Sequence, residues 1–353
     1  MNGNHKKHCK GFVYSMTNDA NNNEIIALRR GFKGRLSFIN SFSTGGEGSG
    51  EPIVDPLTSQ GSVILSRRAR YLFAVNNGSD SISSFRVSPY GGLSLVEVEP
   101  SGGEAPNSLA QYRDLLFVTN EGDAGSDSNV AGFRIAGDGS LTFIGSFPLS
   151  TPDAQPSCVV FSPNGRLLVV SERTTNILSV YLVNKDGTLD GPVVNPSNGA
   201  APFGEVFLRK GFLLVTEAGP NALSSYTADS NGNLDVISGS VINGQVATCW
   251  VAVTRRERFA YTANAGNGGT ITRYRVNSDG TLFVKETVFS TLFGTGAPLD
   301  TAVSRDGRNL YSLNGNQGSI SVFKIGKYGR LFRVEVFEPT GLPEIGAQGL
   351  AVI

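Results

Sequence analysis

Short apolar segments that end in a polar residue recur along the whole chain. They occupy residues 11–18, 71–76, 115–120, 167–172, 212–217, 259–264 and 309–314, and each ends in Asn or Glu. The polar ends lie 44 to 58 residues apart. Four-stranded propeller blades repeat at about this length, so the spacing predicts seven blades.

The flanks of these segments repeat as well. A second apolar run and a turn precede most copies, as in residues 159–165 and 301–307, and an alternating strand such as residues 319–325 follows. A Gly-containing turn and a further strand complete the unit, for example at Asp138-Gly139 and Asp279-Gly280. Asn-Gly and Asp-Gly pairs between apolar runs indicate hairpins, because these residues tolerate positive φ. Each unit therefore predicts four antiparallel strands, ordered inner, second, third and outer.

The two ends of the chain predict how the ring closes. Residues 12–42 supply only a second, a third and an outer strand, whereas the last residues, 348–353, resemble the inner strand at residues 60–65. The C-terminal strand should therefore complete the N-terminal blade and leave no open edge. We expect an all-β, seven-bladed propeller as a single domain over residues 11–353, preceded by a disordered basic tail at residues 1–10.

Composition excludes several classes of partner. The chain has 30 basic and 30 acidic residues, and no apolar run approaches the length of a membrane-spanning helix. We therefore expect no nucleic acid and no membrane partner, and a monomer. The three cysteines are an odd, sparse set, which favours a reducing compartment and hence the cytoplasm.

Strand polarity predicts where a site would lie. Inner strands begin, and second strands end, on the same face of the ring, so their polar residues should converge at one mouth of the central channel. We expect Glu172 and Glu217 to act there as general acid and base. The expected substrate-binding residues at this mouth are Arg173, Gln60, Asn76, Asn120, Gln155, Trp250, Asn264, Asp300 and Asn314. The linker at residues 51–61 lies on the same side, and its Asp55 could reach the channel.

Several of these residues have alternative interpretations. An Asn at a strand end also caps turns, Trp250 could simply pack in the core, and Arg173 could form a surface ion pair. The two glutamates could be solvated, or could hold a divalent cation such as Ca²⁺ or Mn²⁺ with the Asn side chains. Apart from such an ion we expect no cofactor.

The run Phe161-Ser-Pro-Asn-Gly-Arg-Leu-Leu-Val-Val170, the Asn/Asp-Gly-x-Leu turns and the closing C-terminal strand resemble the lactonase-type seven-bladed propellers. That family includes bacterial 6-phosphogluconolactonases and fungal 3-carboxy-cis,cis-muconate lactonizing enzymes. The resemblance covers roughly residues 11–353. It implies a hydrolase or cycloisomerase that acts on a small lactone or carboxylate at the channel mouth, with Glu217 at the position of the family's acidic residue.

The chain departs from the family's pattern at two places. Members commonly carry Pro-His and Arg-His pairs at the starts of two inner strands, where this chain reads Gln155-Pro-Ser157 and Pro202-Phe-Gly204. Its only histidines are His5 and His8. The alternative function is therefore a non-catalytic propeller that binds a small molecule or a protein.

Overall fold

The computed structural model describes residues 11–123 and 125–353, which form seven four-stranded antiparallel sheets. In six of the sheets the four strands follow one another in sequence, and in the seventh the last strand of the chain lies beside the first. This confirms the predicted seven-bladed propeller. The predicted disordered tail at residues 1–10 lies outside the described residues.

The strands of the first four blades, in chain order, are β1 (Gly11–Met16), β2 (Glu24–Arg30) and β3 (Leu36–Ser43) in blade 1; β4 (Val63–Leu65), β5 (Tyr71–Asn76), β6 (Ser81–Val87) and β7 (Leu93–Pro100) in blade 2; β8 (Pro106–Tyr112), β9 (Leu115–Asn120), β10 (Asn129–Ile135) and β11 (Leu141–Pro148) in blade 3; and β12 (Pro156–Phe161), β13 (Leu167–Glu172), β14 (Ile177–Val183) and β15 (Leu189–Pro196) in blade 4.

The remaining strands are β16 (Pro202–Phe207), β17 (Leu213–Glu217), β18 (Ala222–Ala228) and β19 (Leu234–Ile242) in blade 5; β20 (Thr248–Val253), β21 (Phe259–Asn264), β22 (Thr270–Val276) and β23 (Leu282–Phe289) in blade 6; β24 (Pro298–Val303), β25 (Asn309–Asn314), β26 (Ser319–Ile325) and β27 (Leu331–Phe337) in blade 7; and β28 (Gln348–Val352), which returns to blade 1.

Burial along the strands follows their position in the blade. Second strands such as β9 and β13 are buried at every residue, because neighbouring blades cover both of their faces. Outer strands such as β23 expose many of their side chains. In all seven blades the pairing register between third and outer strand contains a shift. Such bulges increase the local right-handed twist, which suits the strongly twisted blades of a ring.

Ring closure depends on the pairing of β28 with β1. Val13 lies opposite Val352 and Tyr14 opposite Ala351. The amide of Ile353 donates to the carbonyl of Phe12 at 2.9 Å. These bonds join the two ends of the described chain within one sheet, as the sequence predicted.

The alternating strand direction gives the ring two faces. We call the face that carries the second-to-third connections and the links between blades the mouth face. The opposite face carries the first-to-second and third-to-fourth turns. None of the described elements is a helix long and apolar enough to cross a membrane.

Candidate functional site at the channel mouth

The polar residues at the ends of the second strands form a repeated hydrogen-bonded position inside the blades. Asn76 Nδ2 donates to Ser83 Oγ at 2.8 Å, and Asn314 Nδ2 donates to Ser321 Oγ at 2.9 Å. Asn264 makes the same kind of bond to Thr272 on its third strand, and Asn120 bonds to Asn129. The strand ends lie at the mouth face as predicted, but these four side chains are fully buried and point to the third strand of their own blade.

Glu172 occupies the same position in blade 4. It is fully buried and accepts hydrogen bonds from the Ser150 amide at 3.0 Å, Thr175 Oγ1 at 2.8 Å and Ser179 Oγ at 2.5 Å, and also from the Ser150 hydroxyl. Because Ser150 follows the outer strand of blade 3, this carboxylate ties two blades together.

Glu217 does the same in blade 5. It accepts from the Gly199 amide at 2.9 Å, and from Ser224 Oγ and Ser240 Oγ at 2.6 Å each. Gly199 follows the outer strand of blade 4, so Glu217 also joins neighbouring blades. The structure therefore gives Glu172 and Glu217 separate structural partners and does not bring them together. Their assignment as acid and base stays a hypothesis, which competes with the one proposed below.

The channel mouth itself is crossed by residues 51–61, which we call the channel loop. Its hydrogen bonds reach the inner strands of five blades: Ser59 Oγ to the Asn107 carbonyl at 2.8 Å, the Gln60 amide to the Ser157 carbonyl at 2.9 Å, Gln60 Nε2 to the Glu205 carbonyl at 2.8 Å, Trp250 Nε1 to the Ser59 carbonyl at 2.9 Å, and the Gly61 amide to Asp300 Oδ1 at 3.1 Å. The loop thus places its own polar residues against the start of the channel.

Arg173 lies beside this loop, one residue after the end of β13. Its Nη1 donates to Glu121 Oε1 at 2.7 Å and to the Pro156 carbonyl at 3.2 Å. Nε and Nη2 make no hydrogen bond within the described part of the chain, and the side chain is 17% exposed. Asn107 Nδ2 also contacts Glu121 Oε1, at 3.2 Å. Burial raises the pKa of Glu121, and the Arg173 charge opposes this rise. The ion pair therefore holds a guanidinium with N–H groups available at the mouth.

Buried carboxyl groups without hydrogen-bond partners lie around the channel loop. Asp55 Oδ1, Asp300 Oδ2 and both carboxyl oxygens of Glu205 are buried and make no hydrogen bond of normal geometry with the described residues, and the Gln348 amide makes none either. The Gln348 side chain nevertheless lies close enough to Asp55, and the Ser171 side chain close enough to Glu205, to oppose the rise in the pKa of each carboxyl group. Unsatisfied buried polar atoms are rare in folded proteins, and they mark a site where water or a ligand belongs. Among the Asn side chains at the strand ends, Asn120 Oδ1 and Asn314 Oδ1 are also buried without a hydrogen bond, although the amide nitrogen of each is bonded to its own blade.

Burial shifts the acidity of these groups. It raises the pKa of Asp55 to about 8, with a further rise from the nearby Asp300 charge and an opposing effect from Arg173. Burial also raises the pKa of Asp300 to about 7, partly offset by backbone amides such as that of Gly61. The pKa of Glu205 is raised well above its usual value for the same reason. Carboxyl groups with pKa values near neutrality can both accept and donate protons at physiological pH.

The remaining residues that the sequence predicted for the site differ in their distance from the channel loop and in their exposure. Gln60 bridges the channel loop to blades 5 and 6, since its Oε1 also accepts the Val251 amide. Trp250 is buried against Phe203, with ring centroids 5.3 Å apart, and packs beneath the loop. Gln155 is exposed at the mouth, and its carbonyl accepts the Arg173 amide. Asp300 lies under the channel loop, as described above.

Nucleophilic and metal chemistry have little support in the described residues. Burial raises the pKa of both Cys158 and Cys249, which are free cysteines, so both remain protonated thiols. No group of three or more His, Cys, Asp or Glu side chains in the described ranges could hold a metal ion. The carboxyl groups and Arg173 are therefore the reactive groups that the mouth presents.

The sequence analysis missed Glu121, Glu205 and Gln348. Glu121 and Arg173 each directly follow the polar residue that ends a second strand. The residue after the strand end therefore indicates the site better than the strand-end residue itself. Glu205 is a charged residue inside an otherwise apolar inner strand. A carboxyl in that position has to face either a core or the channel.

The mouth face is strongly acidic. The connections between strands on this face contain twelve acidic residues and a single basic one, Arg173, within the described chain. The acidic residues are Asp19, Glu47, Glu51, Asp55, Asp80, Glu104, Glu121, Asp123, Asp127, Asp153, Glu338 and Glu344. This excess of acidic residues disfavours the approach of anionic molecules to the mouth face, except near Arg173.

Fold and site together define a closed seven-bladed propeller with a polar channel mouth. Residues 22–146 and 214–343 match the family described as Lactonase, 7-bladed beta-propeller. This chain belongs to that family.

Named relatives and solved structures agree with this assignment. The chain is 21% identical over 276 residues to a 6-phosphogluconolactonase of Erwinia tasmaniensis, covering 76% of this chain and 81% of that protein. A 6-phosphogluconolactonase of Serratia proteamaculans is 22% identical over 280 residues, with the same coverage. The structure of the periplasmic gluconolactonase of Pseudomonas aeruginosa superposes with a TM-score of 0.77 at 19% identity, covering 96% of this chain and 98% of that one. At this identity the superposition shows a shared fold.

Proposed function

We propose that this protein is a hydrolase that opens a small lactone at the channel mouth, with Arg173 as the group that contacts the substrate carbonyl. The observation that supports this most strongly is the pairing of Arg173 with Glu121, which leaves guanidinium N–H groups available near Asp55, a carboxyl group with a pKa of about 8 that in turn lies near Asp300. The names of the relatives support the same reaction class.

The chemistry follows from the protonation states. Asp300, ionised in part at neutral pH, accepts a proton from a water molecule whose oxygen adds to the lactone carbonyl carbon. Arg173 donates hydrogen bonds to the carbonyl oxygen as it becomes negatively charged. Asp55, largely protonated at neutral pH, gives its proton to the ring oxygen when the ring C–O bond breaks. The product is a hydroxy acid, and the Asp300 proton passes to solvent as Asp55 is reprotonated.

The acidic charge of the mouth face limits which lactones can be substrates. A phosphorylated sugar lactone would bring two negative charges to a face of the ring whose connections carry twelve acidic residues and one arginine. We therefore propose an uncharged lactone rather than a phosphorylated one. The hydroxy-acid product is an anion, and the same acidic face favours its release.

A non-catalytic propeller that binds a small molecule remains the second candidate. It is favoured by one observation, the absence of any histidine from residues 11–353, since the places of the family's Pro-His and Arg-His pairs read Gln155-Pro-Ser157 and Pro202-Phe-Gly204 in this chain. In either case we propose a monomer with no nucleic-acid partner. Cys158 and Cys249 are free thiols, which supports the cytoplasm as its compartment.

The test is a panel of lactones offered to the wild type and to Arg173→Gln, with Arg166→Gln on the opposite face as the matched control. We expect turnover of uncharged lactones, a fall in kcat/KM of about 100-fold or more in Arg173→Gln, and no change in the control. We expect poor turnover of 6-phosphogluconolactone. Absence of any turnover, together with a lactone-dependent change in Trp250 fluorescence, would support the binding protein instead.

A further inference from the structure

The third-to-fourth turns on the opposite face differ between two groups of blades. In blades 3 to 6 these turns are polar, with Asp138, Asp186, Asp229 and Asp279 before the outer strand. In blades 7, 1 and 2, which are adjacent in the ring, the turns instead read Gly326-Lys-Tyr-Gly-Arg330, Gly31-Phe-Lys-Gly-Arg35 and Ser88-Pro-Tyr-Gly-Gly92. Three neighbouring turns have therefore exchanged an acidic residue for an aromatic one.

The three aromatic side chains are among the most exposed in the structure. Tyr328 is 65% exposed, Phe32 is 73% exposed and Tyr90 is 80% exposed. Lys327 lies over the Tyr328 ring at 4.8 Å, and Lys33 lies over the Phe32 ring at 5.4 Å. Each of these two turns thus presents an aromatic ring and an ammonium group together.

Charge on the opposite face is concentrated in the same three blades. Their turns, including those at residues 66–70 and 304–308, contain nine basic residues and one acidic residue, Asp306. The turns of blades 3 to 6 contain eight basic and six acidic residues. We call the turns of blades 7, 1 and 2 on this face the basic aromatic sector.

Buried tyrosines of neighbouring blades hold these three turns in place. Tyr14 Oη donates to the Gly91 carbonyl at 3.1 Å, Tyr311 Oη to the Gly34 carbonyl at 2.8 Å, and Tyr261 Oη to the Gly329 carbonyl at 2.6 Å. The corresponding glycines in blades 3 and 6 receive a bond from a serine, Ser84 or Ser225. The aromatic tips therefore stand on backbone that is fixed to the core, which lowers the entropic cost of binding through them.

A cavity opens within the sector between blades 1 and 2. It has a volume of about 380 Å³ and is lined by the rings of Phe12 and Tyr71 together with Arg70 and Arg86. Ser88 and Pro89, from the turn that carries Tyr90, also line it. A lining that combines apolar side chains with two arginines suits a phosphorylated headgroup that is attached to an apolar chain.

We propose that the basic aromatic sector docks on the surface of a bilayer that contains anionic lipids. Tyr, Trp and Phe side chains favour the headgroup region, where their rings meet both apolar and polar surroundings. Basic residues near an anionic bilayer add electrostatic attraction. Exposed aromatic residues at three adjacent turns, two of which also carry basic residues, match a planar anionic surface better than they match a groove or a single ligand.

Docking through this sector is compatible with a functional site at the channel mouth. The channel mouth lies on the other face of the ring, so it stays open to water while the protein is bound. The contact is peripheral, and it is compatible with the absence of a spanning helix among the described elements. It departs from the sequence-based expectation of no membrane partner, because that expectation used the lack of a long apolar run, which concerns membrane-spanning helices and not docking at a membrane surface. The net charge of zero also does not reveal the basic sector, because the acidic mouth face balances it.

The experiment measures co-sedimentation of the intact protein with phosphatidylcholine vesicles that contain or lack phosphatidylserine. We expect binding to the phosphatidylserine vesicles, weakened by added salt, and little binding to phosphatidylcholine alone. Combined Tyr90→Ser and Tyr328→Asn substitution should reduce the affinity about tenfold or more. The matched control is Phe293→Ser, which removes an aromatic residue that is 88% exposed on the mouth face and should leave binding unchanged.

Charge variants separate the sector from the rest of the same face. Lys327→Gln with Arg68→Gln should weaken vesicle binding by about fivefold for each charge removed, whereas Lys185→Gln with Lys210→Gln in blades 4 and 5 should have a much smaller effect. Thermal unfolding of every variant checks that the fold is retained. Equal losses in both pairs, no binding of the wild type, or tighter binding to duplex DNA than to the vesicles would overturn the proposal.

Discussion

Two sets of buried carboxyl groups lie in the mouth half of this propeller, and they differ in their partners. Glu172 and Glu217 sit at the ends of second strands, and each accepts at least three hydrogen bonds from hydroxyl and amide donors of two blades. Asp55 in the channel loop, and Asp300 and Glu205 beside it, each keep at least one buried oxygen without a hydrogen bond. A buried acid whose oxygens are satisfied stabilises the fold, whereas one that is left unsatisfied marks a place for water or substrate.

The largest expected effect on stability comes from removing a carboxyl group of the first set, Glu172 and Glu217. Glu217→Ala removes the acceptor for Gly199, Ser224 and Ser240, whose donors then stay buried without partners. We expect a loss in the free energy of unfolding on the order of 4 kcal/mol, measured by urea denaturation. Glu344→Ala, an exposed glutamate on the same face, should change stability by less than about 0.5 kcal/mol. Equal stability of the two variants would contradict the role of Glu217 in joining blades.

The carboxyl groups of the second set, such as Asp300, should make the free energy of unfolding depend on pH. Because the pKa of Asp300 is raised from 3.8 to about 7 in the folded state, the folded protein binds this proton more tightly than the unfolded chain does. The associated stability is therefore complete at low pH and is lost as the pH rises from about 4 to about 7. Asp300→Asn removes this loss and keeps an acceptor for the Gly61 amide.

We expect Asp300→Asn to be more stable than the wild type at pH 8 by up to about 4 kcal/mol, and to show little difference near pH 4. Urea denaturation of both proteins at the two pH values measures this. The same substitution at an exposed carboxyl group, Asp153→Asn, serves as the control and should leave the dependence of stability on pH unchanged. A destabilised Asp300→Asn at pH 8 would show that the carboxylate is needed in its charged form.

Much of the fold could be predicted from the sequence because it is repeated. Seven copies of one strand-and-turn pattern specify both the number of blades and the order of their strands. The closing strand was predicted because residues 348–353 supply the one inner strand that the first copy lacks. Local patterns of this kind depend on side-chain alternation and turn chemistry, which are properties of short segments.

The site was harder to predict, because a shift of one residue reverses the direction of a side chain. Glu172 ends β13 and points into the blade, whereas Arg173 directly after it reaches the channel loop. Sequence reasoning placed both residues at the mouth and could not separate their directions. The role of Asp55 depends on how residues 51–61 cross the channel, which is set by contacts with five blades and has no local signature.

The most direct test of the central claim compares Asp300→Asn with Glu217→Gln in turnover of an uncharged lactone, with each rate corrected for the folded fraction. Our account predicts that Asp300→Asn retains its fold and loses at least about 100-fold in kcat, while Glu217→Gln is less stable and keeps its turnover for each folded molecule. Loss of turnover in a stable Glu217→Gln protein, with full activity in Asp300→Asn, would contradict the account and return the chemistry to the strand-end glutamate.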